Sequence, residues 1–231
     1  MMNILLWIGL ALVTFISIML AYKFFGKTGL YVFSAFSIIL ANIQVLKTVQ
    51  LFGLIATLGN IIYGASFLVT DILSEIYGKK DSKKAIMIGF FAAIVSMCIM
   101  WLCIQFVPDA SDFANGALTT IFTIMPRIVG ASLVAYLISN YHDVWAFDFW
   151  KKKTNGKWLW FRNNASTIVS QLIDSIIFCV IAFWGLFPTS VFIEILITTY
   201  IFKVITAVAD TPFIYWAKRI YKNNKHRPEF R

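Results

Sequence analysis

A few polar and charged side chains stand inside stretches that are otherwise apolar, and any chemistry in this chain begins with them. Asp71 and Glu75 are four residues apart, so their carboxylates share one helical face, behind Asn60, Tyr63 and Phe67. Thr167, Gln171, Asp174 and Phe178 form a second stripe at helical spacing. Lys203, Thr206 and Asp210, at spacings of three, four and seven, form a third. Arg127 follows Pro126 inside an apolar run, and Asn42 and Gln44 precede Lys47 at the end of another. An aspartate at the centre of a membrane span costs about 2.5–3.5 kcal/mol on insertion scales, so one kept there usually faces a bundle interior or a watery cavity. Taken singly, these residues leave alternatives open. Asn42 fits helix–helix hydrogen bonding as well as ligand contact, and Glu75 fits a surface pair with Lys79. Asp174 fits a buried ion pair with Arg127 or Lys203, and such a pair can also serve a ligand. Lys203 and Asp210, seven apart, each need a partner on another helix.

The chemistry implied is binding, not bond-making. No H-E-x-x-H, G-x-S-x-G or G-x-x-x-x-G-K-[ST] pattern occurs, and both histidines, His142 and His226, fall outside the apolar runs. An intramembrane aspartyl dyad of Asp71 with Asp174 is the one hydrolytic arrangement the residues allow. No metal or cofactor is expected. Polar stripes on at least four helices exceed what one structural ion pair requires, and they suit a cavity near the bilayer midplane, where transporters bind their cargo. The rival reading is a substrate-binding subunit of an energy-coupling-factor vitamin importer, whose ATPases are separate chains.

These side chains must be positioned by helices in lipid. Of 231 residues 60% are hydrophobic and 13% charged, against about 45–50% and 25% in soluble domains. Runs of roughly 20 apolar residues are needed to cross a bilayer, and seven stretches qualify: 4–22, 29–47, 52–77, 85–107, 117–140, 165–187 and 192–217. The expected fold class is thus an all-α integral membrane protein, a polytopic bundle of about seven transmembrane helices. The first run lacks the basic start and small-x-small site of a signal peptide and is kept as a span. Lysines and arginines fill the connections after spans one, three and five and the tail 218–231, whereas the loop after span four holds Asp109 and Asp112. Positive loops stay cytoplasmic, which puts the N-terminus outside and the C-terminus in the cytoplasm. The net charge of +9 resides in those loops, so no nucleic-acid partner is implied. The segment 141–163 reads as a long cytoplasmic connection whose aromatic rings and lysines favour the headgroup layer, as an anchor or as a lid over a ligand. Cys98, Cys103 and Cys179 lie in apolar runs and read as packing residues, not a disulfide framework.

Six blocks, in order, resemble one family. They run from Asn42 to Gly53, Tyr63 to Gly78 (YGASFLVTDILSEIYG), Arg127 to Tyr136 (RIVGASLVAY), Asp143 to Phe147, Asn164 through Asp174 to Trp184, and Tyr200 to Lys203 (YIFK). Together they resemble the queuosine precursor transporters, also called the vitamin uptake transporter family. The resemblance covers roughly residues 30–220, a core of six spans (29–217) with residues 1–28 added ahead of it. It implies import across a bacterial plasma membrane of a 7-deazaguanine compound for transfer RNA modification: queuine, 7-cyano-7-deazaguanine or 7-aminomethyl-7-deazaguanine. Asp71, Glu75, Arg127, Asp174 and Lys203 match polar positions of the family's motifs. The chemistry of a guanine-like edge agrees, because one carboxylate can accept its N–H and amino group together. Asp174 or Asp71 suits that task, with Asn42 or Gln171 for the carbonyl or amino group and Tyr63, Phe67 and Phe178 as walls for the flat ring. Expected partners are thus this small molecule and membrane lipid, with oligomeric state left open.

Overall fold

The computed structural model describes residues 2–185 and 188–230. Its elements are α1 (Met2–Gln44), β1 (Thr48–Leu51), β2 (Leu54–Thr57), α2 (Gly59–Ile76), α3 (Lys79–Cys103), α4 (Asn115–Lys153), α5 (Leu159–Phe183), α6 (Thr189–Asn224) and a closing 3₁₀ turn, Pro228–Phe230. A straight helix as long as α1 would reach about 64 Å, twice the hydrocarbon thickness. It does not stay straight, because Gly26 adopts φ 56° and ψ −138° and splits it into two arms. These arms carry the first two expected spans, and with them the described helices make a polytopic α-helical membrane protein. By length and apolar character α1, α3, α5 and α6 can cross a bilayer, and α4 is a fifth when its two parts, bent by 45°, are taken together.

The sixth long helix, α2, which carries most of the third expected span, lies inside the bundle. Its first sixteen residues, Gly59 to Ser74, are all buried, with Glu75 and Ile76 partly so. A helix covered on every side belongs to the interior of a bundle, and α1, α3, α4, α5 and α6 all pack against it. Close packing has a sequence cause at Gly64, where a Cβ would lie 3.0 Å from Thr206 Cγ2 of α6. The axis of the molecule is therefore the helix that carries Asn60, Tyr63, Phe67, Asp71 and Glu75.

Three boundaries differ from the sequence expectation. Residues 52–57, read as the start of span three, instead form part of a hairpin in which Thr48 pairs Thr57 and Leu51 pairs Leu54. Phe52 and Gly53 turn it with φ 53° and 83°, the left-handed pair a two-residue hairpin requires. Buried Leu51 and Ala56 seat it against Phe202. Residues 104–114, partly assigned to span four, lie outside helix. Finally, 141–153 is not a loop: α4 continues to Lys153, and only 154–158 connect it to α5. Val144 and Phe147 are fully buried while Trp145 and Phe149 stay exposed, so one helical face packs and the other carries an aromatic belt. Trp158 and Trp160 extend that belt onto the next helix.

The C-terminal turn returns to the break in α1. Phe230 is buried against Tyr22, with ring centroids 5.2 Å apart, and the Glu229 carbonyl lies where a Cβ on Gly26 would be, 1.9 Å away. Gly26→Ala should thus destabilise the protein twice, by left-handed backbone at about 1–2 kcal/mol and by this overlap. Thermal unfolding in detergent should show the loss, and the same substitution made in a chain lacking residues 228–231 should cost only the backbone part, relative to that truncated chain.

Candidate functional site

Polar side chains stack along α2 in three layers. The first surrounds a small cavity of about 20 Å³, room for about one water, whose polar lining is Asn42 of α1, Asn60 and Tyr63 of α2, Ser132 of α4, Asp174 of α5 and Lys203 of α6, with Phe178 as an apolar wall. Asp174 is its centre. Tyr63 Oη donates to Asp174 Oδ1 at 2.9 Å and Ser139 Oγ to the same oxygen at 3.0 Å. The Lys203 ammonium pairs with Oδ2. That ammonium also stands over two rings, 4.9 Å from the Tyr63 centroid and 5.7 Å from that of Phe178. Of the two partners the residues allowed for Asp174, the geometry selects Lys203. Burying both charges is tolerable because each is paired and hydrogen-bonded, whereas removing one partner typically costs about 3–5 kcal/mol. The Asn60 amide nitrogen, buried at the cavity wall, meets no acceptor.

The second layer lies two helical turns further along, roughly 10–12 Å away. Asp71 of α2, Asp143 of α4 and Asp210 of α6 converge there, and all three are essentially without exposure. Thr167 of α5 donates to Asp71 at 3.3 Å and Asn163 to Asp210 at 3.1 Å. Among the described residues no lysine or arginine lies within ion-pair distance of any of the three.

The third layer closes the end of the bundle that carries the basic loops. Arg162 of α5, fully buried, grips Glu75 with two nitrogens at 2.6 and 3.1 Å. Lys218 of α6 reaches the same carboxylate at 2.7 Å and Lys151 of α4 at 3.5 Å. Lys151 also donates to the Glu75 backbone carbonyl at 2.9 Å, covering the negative end of α2. One carboxylate thereby ties α2 to three neighbours. The alternative of a surface pair with Lys79 does not form, since Lys79 lies 3.9 Å from Asp148 instead.

Of the ten residues singled out from sequence, Asn42, Tyr63, Asp174, Phe178 and Lys203 meet at the cavity. Phe67 is fully buried one turn beyond Tyr63 and packs with the apolar residues around it. Gln171 is buried one turn from Asp174, with neither polar atom partnered. Asp71 and Glu75 belong to the second and third layers. Arg127 is exposed and caps the end of α5 by donating to the carbonyls of Ile181 at 3.0 Å and Trp184 at 2.9 Å. It therefore meets the orphan acceptors of a helix C-terminus, not Asp174. Sequence reasoning passed over Ser139, Asp143 and Arg162. Ser132, Ser139 and Asp143 repeat at seven and four, a signal that would have been visible had α4 been read past residue 140.

The family model described as "Putative vitamin uptake transporter" matches residues 57–217. A protein of Bacillus subtilis (strain 168) named "Probable queuosine precursor transporter" is 41% identical over 226 residues, covering 97% of this chain and 99% of its own. A protein of Escherichia coli (strain K12) named "Queuosine precursor transporter" is 28% identical over 171 residues, covering 73% of this chain and 75% of its own. No solved structure matches.

The Glu75 layer generates a stability prediction. Glu75→Ala leaves Arg162 buried without a counter-charge and should cost about 3–5 kcal/mol. Glu75→Ala combined with Arg162→Leu should lose less than the single variant. Unfolding midpoints of the four proteins in detergent, read as a double-mutant cycle, check the coupling.

Proposed function

The chain belongs to the vitamin uptake transporter family, which consists of transporters and not enzymes, and from that premise we propose that it imports a queuosine precursor. The cargo on this reading is a 7-deazaguanine compound, whether queuine, 7-cyano-7-deazaguanine or 7-aminomethyl-7-deazaguanine, taken up for transfer RNA modification. The names of the two relatives support the class of cargo. The observation that carries the residue assignment is Asp174, a carboxylate held at a cavity in the bundle interior by Tyr63, Ser139 and Lys203.

The cavity has room for about one water, so a flat bicyclic ring enters only as the Lys203 side chain moves aside and the helices around Asp174 part. A carboxylate offers about four acceptor positions. Tyr63, Ser139 and Lys203 use three of them on Asp174. A guanine-like N–H and amino group take the same carboxylate together, and the ring slides between Tyr63 and Phe178, into the place the Lys203 ammonium holds over both. Lys203 is then the internal stand-in for substrate: it neutralises Asp174 when nothing is bound and yields Oδ2 when cargo arrives. The unpartnered Asn60 amide donates to the ring carbonyl. The basic loops and the tail face the cytoplasm on this reading, so the Glu75 layer closes the inner side.

Cells unable to make queuosine, expressing this chain and given each of the three compounds at low concentration, should regain queuosine in transfer RNA with at least one. Asp174→Asn, which keeps shape and loses charge, should weaken uptake by about 10–100-fold, the value of a charge-assisted hydrogen bond of about 1.5–3 kcal/mol. Tyr63→Phe should reduce it less. Absence of rescue by all three compounds, with the chain present in the membrane, would overturn the reading.

A further inference from the structure

The second layer takes no part in the cavity, yet it gathers three buried carboxylates. Their surroundings decide their charge. Asp71 and Asp143 are close neighbours, and neither Asp71 Oδ1 nor either Asp143 oxygen receives a donor, so a proton on one of the two acids is the donor the pair lacks. Asp210 approaches from the opposite helix, held by Asn163. The cations of the neighbouring elements are engaged elsewhere. Lys203 is on Asp174, while Arg162, Lys151 and Lys218 are on Glu75. Lys27 of α1 is on Asp81 of α3, and Lys79 is near Asp148 of α4. His142, next to Asp143 in sequence, spends Nδ1 on the Ser170 hydroxyl at 2.9 Å.

A second observation is independent of the acids. The fully buried Asn163 donates its amide hydrogens to Asp210 and to Thr211, and its carbonyl oxygen, like Asp71 Oδ1 and Asp210 Oδ2, receives no donor. The layer is thus rich in acceptors and short of hydrogens. Three ionised carboxylates there would face both desolvation and mutual repulsion, offset only by neutral donors, the Thr167 hydroxyl on Asp71 and the Asn163 amide on Asp210, with the hydroxyls of Ser166 and Ser170 near Asp143, and by no cation. Among the described residues no group of three such side chains has the arrangement to hold a metal ion. The missing hydrogens are supplied most simply by protons on the acids themselves.

We propose that Asp71, Asp143 and Asp210 form a proton-binding site that couples transport to the proton gradient. It rests, for its role in transport, on the importer reading. On this proposal the acids keep their protons while the Glu75 ion pairs hold, because that layer lies between them and the basic end and the Asp174 layer lies on the other side. Parting the Glu75 layer admits water from the basic end, and the acids then release protons to that side. Return to the closed state requires reloading from the opposite side, so each cycle moves protons with the cargo and in the same direction.

Two measurements test this, one needing no substrate. Infrared spectra of the purified protein near neutral pH should contain the carbonyl band of protonated, buried carboxylic acid, diminished in Asp71→Asn and Asp210→Asn. A wild-type spectrum with carboxylate bands only overturns the site, whatever transport does. In proteoliposomes, exchange of labelled for unlabelled cargo should proceed without any gradient in wild type and in Asp143→Asn. An inward gradient of one pH unit should drive wild-type accumulation up to about tenfold per coupled proton, and Asp143→Asn should exchange without accumulating. Exchange that ignores the pH gradient, or accumulation driven by sodium instead, overturns the coupling and leaves the importer reading intact. Absence of exchange with all three 7-deazaguanine compounds defeats that reading and with it the coupling, and the infrared band alone then decides whether the site binds protons.

Discussion

Charge inside a bilayer must be neutralised by the protein itself, and here that constraint falls on a single helix. α2 touches little but protein, so whatever its side chains carry has to be answered by neighbours. Each of its polar turns is answered differently. Tyr63 shares Asp174 with Lys203, Asp71 meets other acids, and Glu75 meets three cations. The five helices packed around α2 are held in register by these answers as much as by apolar contact, because each layer draws partners from α4, α5 and α6.

The distribution of small residues follows from the same arrangement. Gly64 lets α6 approach α2, bringing Lys203 and Asp210 within reach of the axis. Gly59, where a Cβ would lie 2.7 Å from the Ala41 carbonyl, lets the start of α2 approach the end of α1, and so brings Asn42 to the cavity wall. Ordinary side chains at either position would separate the helices and enlarge the space around Asp174. The hairpin 48–57 sits where these two helices meet, which gives a physical reason for strand pairing in an otherwise helical chain. A tight turn joins two helices while satisfying its own backbone hydrogen bonds.

Much of this was legible before any coordinates. Apolar run length marked the helical segments, and the cost of charge in lipid marked Asp174 and Lys203 as residues with a shared purpose. What escaped had two causes. Periodicity reports the face of a helix but not its partner, so Arg127 and Lys203 looked equally suited to Asp174 until the fold put Arg127 at the end of α5. Hydropathy reports lipid contact but not helix continuation, so α4 seemed to stop where its exposed aromatic belt and lysines begin. That error hid Asp143, and with it the convergence of three aspartates. The apolar residues ahead of α2 concealed the hairpin in the same way, although Phe52-Gly53 and Gly59 punctuate the run.

The order of the layers carries the last step. A cavity centred on a neutral ion pair, then a cluster of acids without a cation, then an ion-pair lattice at the basic end place three electrostatic environments along one axis. The first is neutral internally, and the last carries an excess of positive charge that its part-exposed lysines share with water. The middle one cannot be neutral unless it binds something positive, and it lies where α2, α4 and α6 must slide or tilt if the basic end is to open. Arg162 stands one turn from Ser166 on the helix that supplies Thr167, so a motion that frees it from Glu75 also moves the hydroxyls beside the acids. In the proposed cycle, opening the lattice and changing the charge of the aspartates are thus one mechanical event. A bundle that carried cargo without that link would have no physical reason to hold three carboxylates together so far from water.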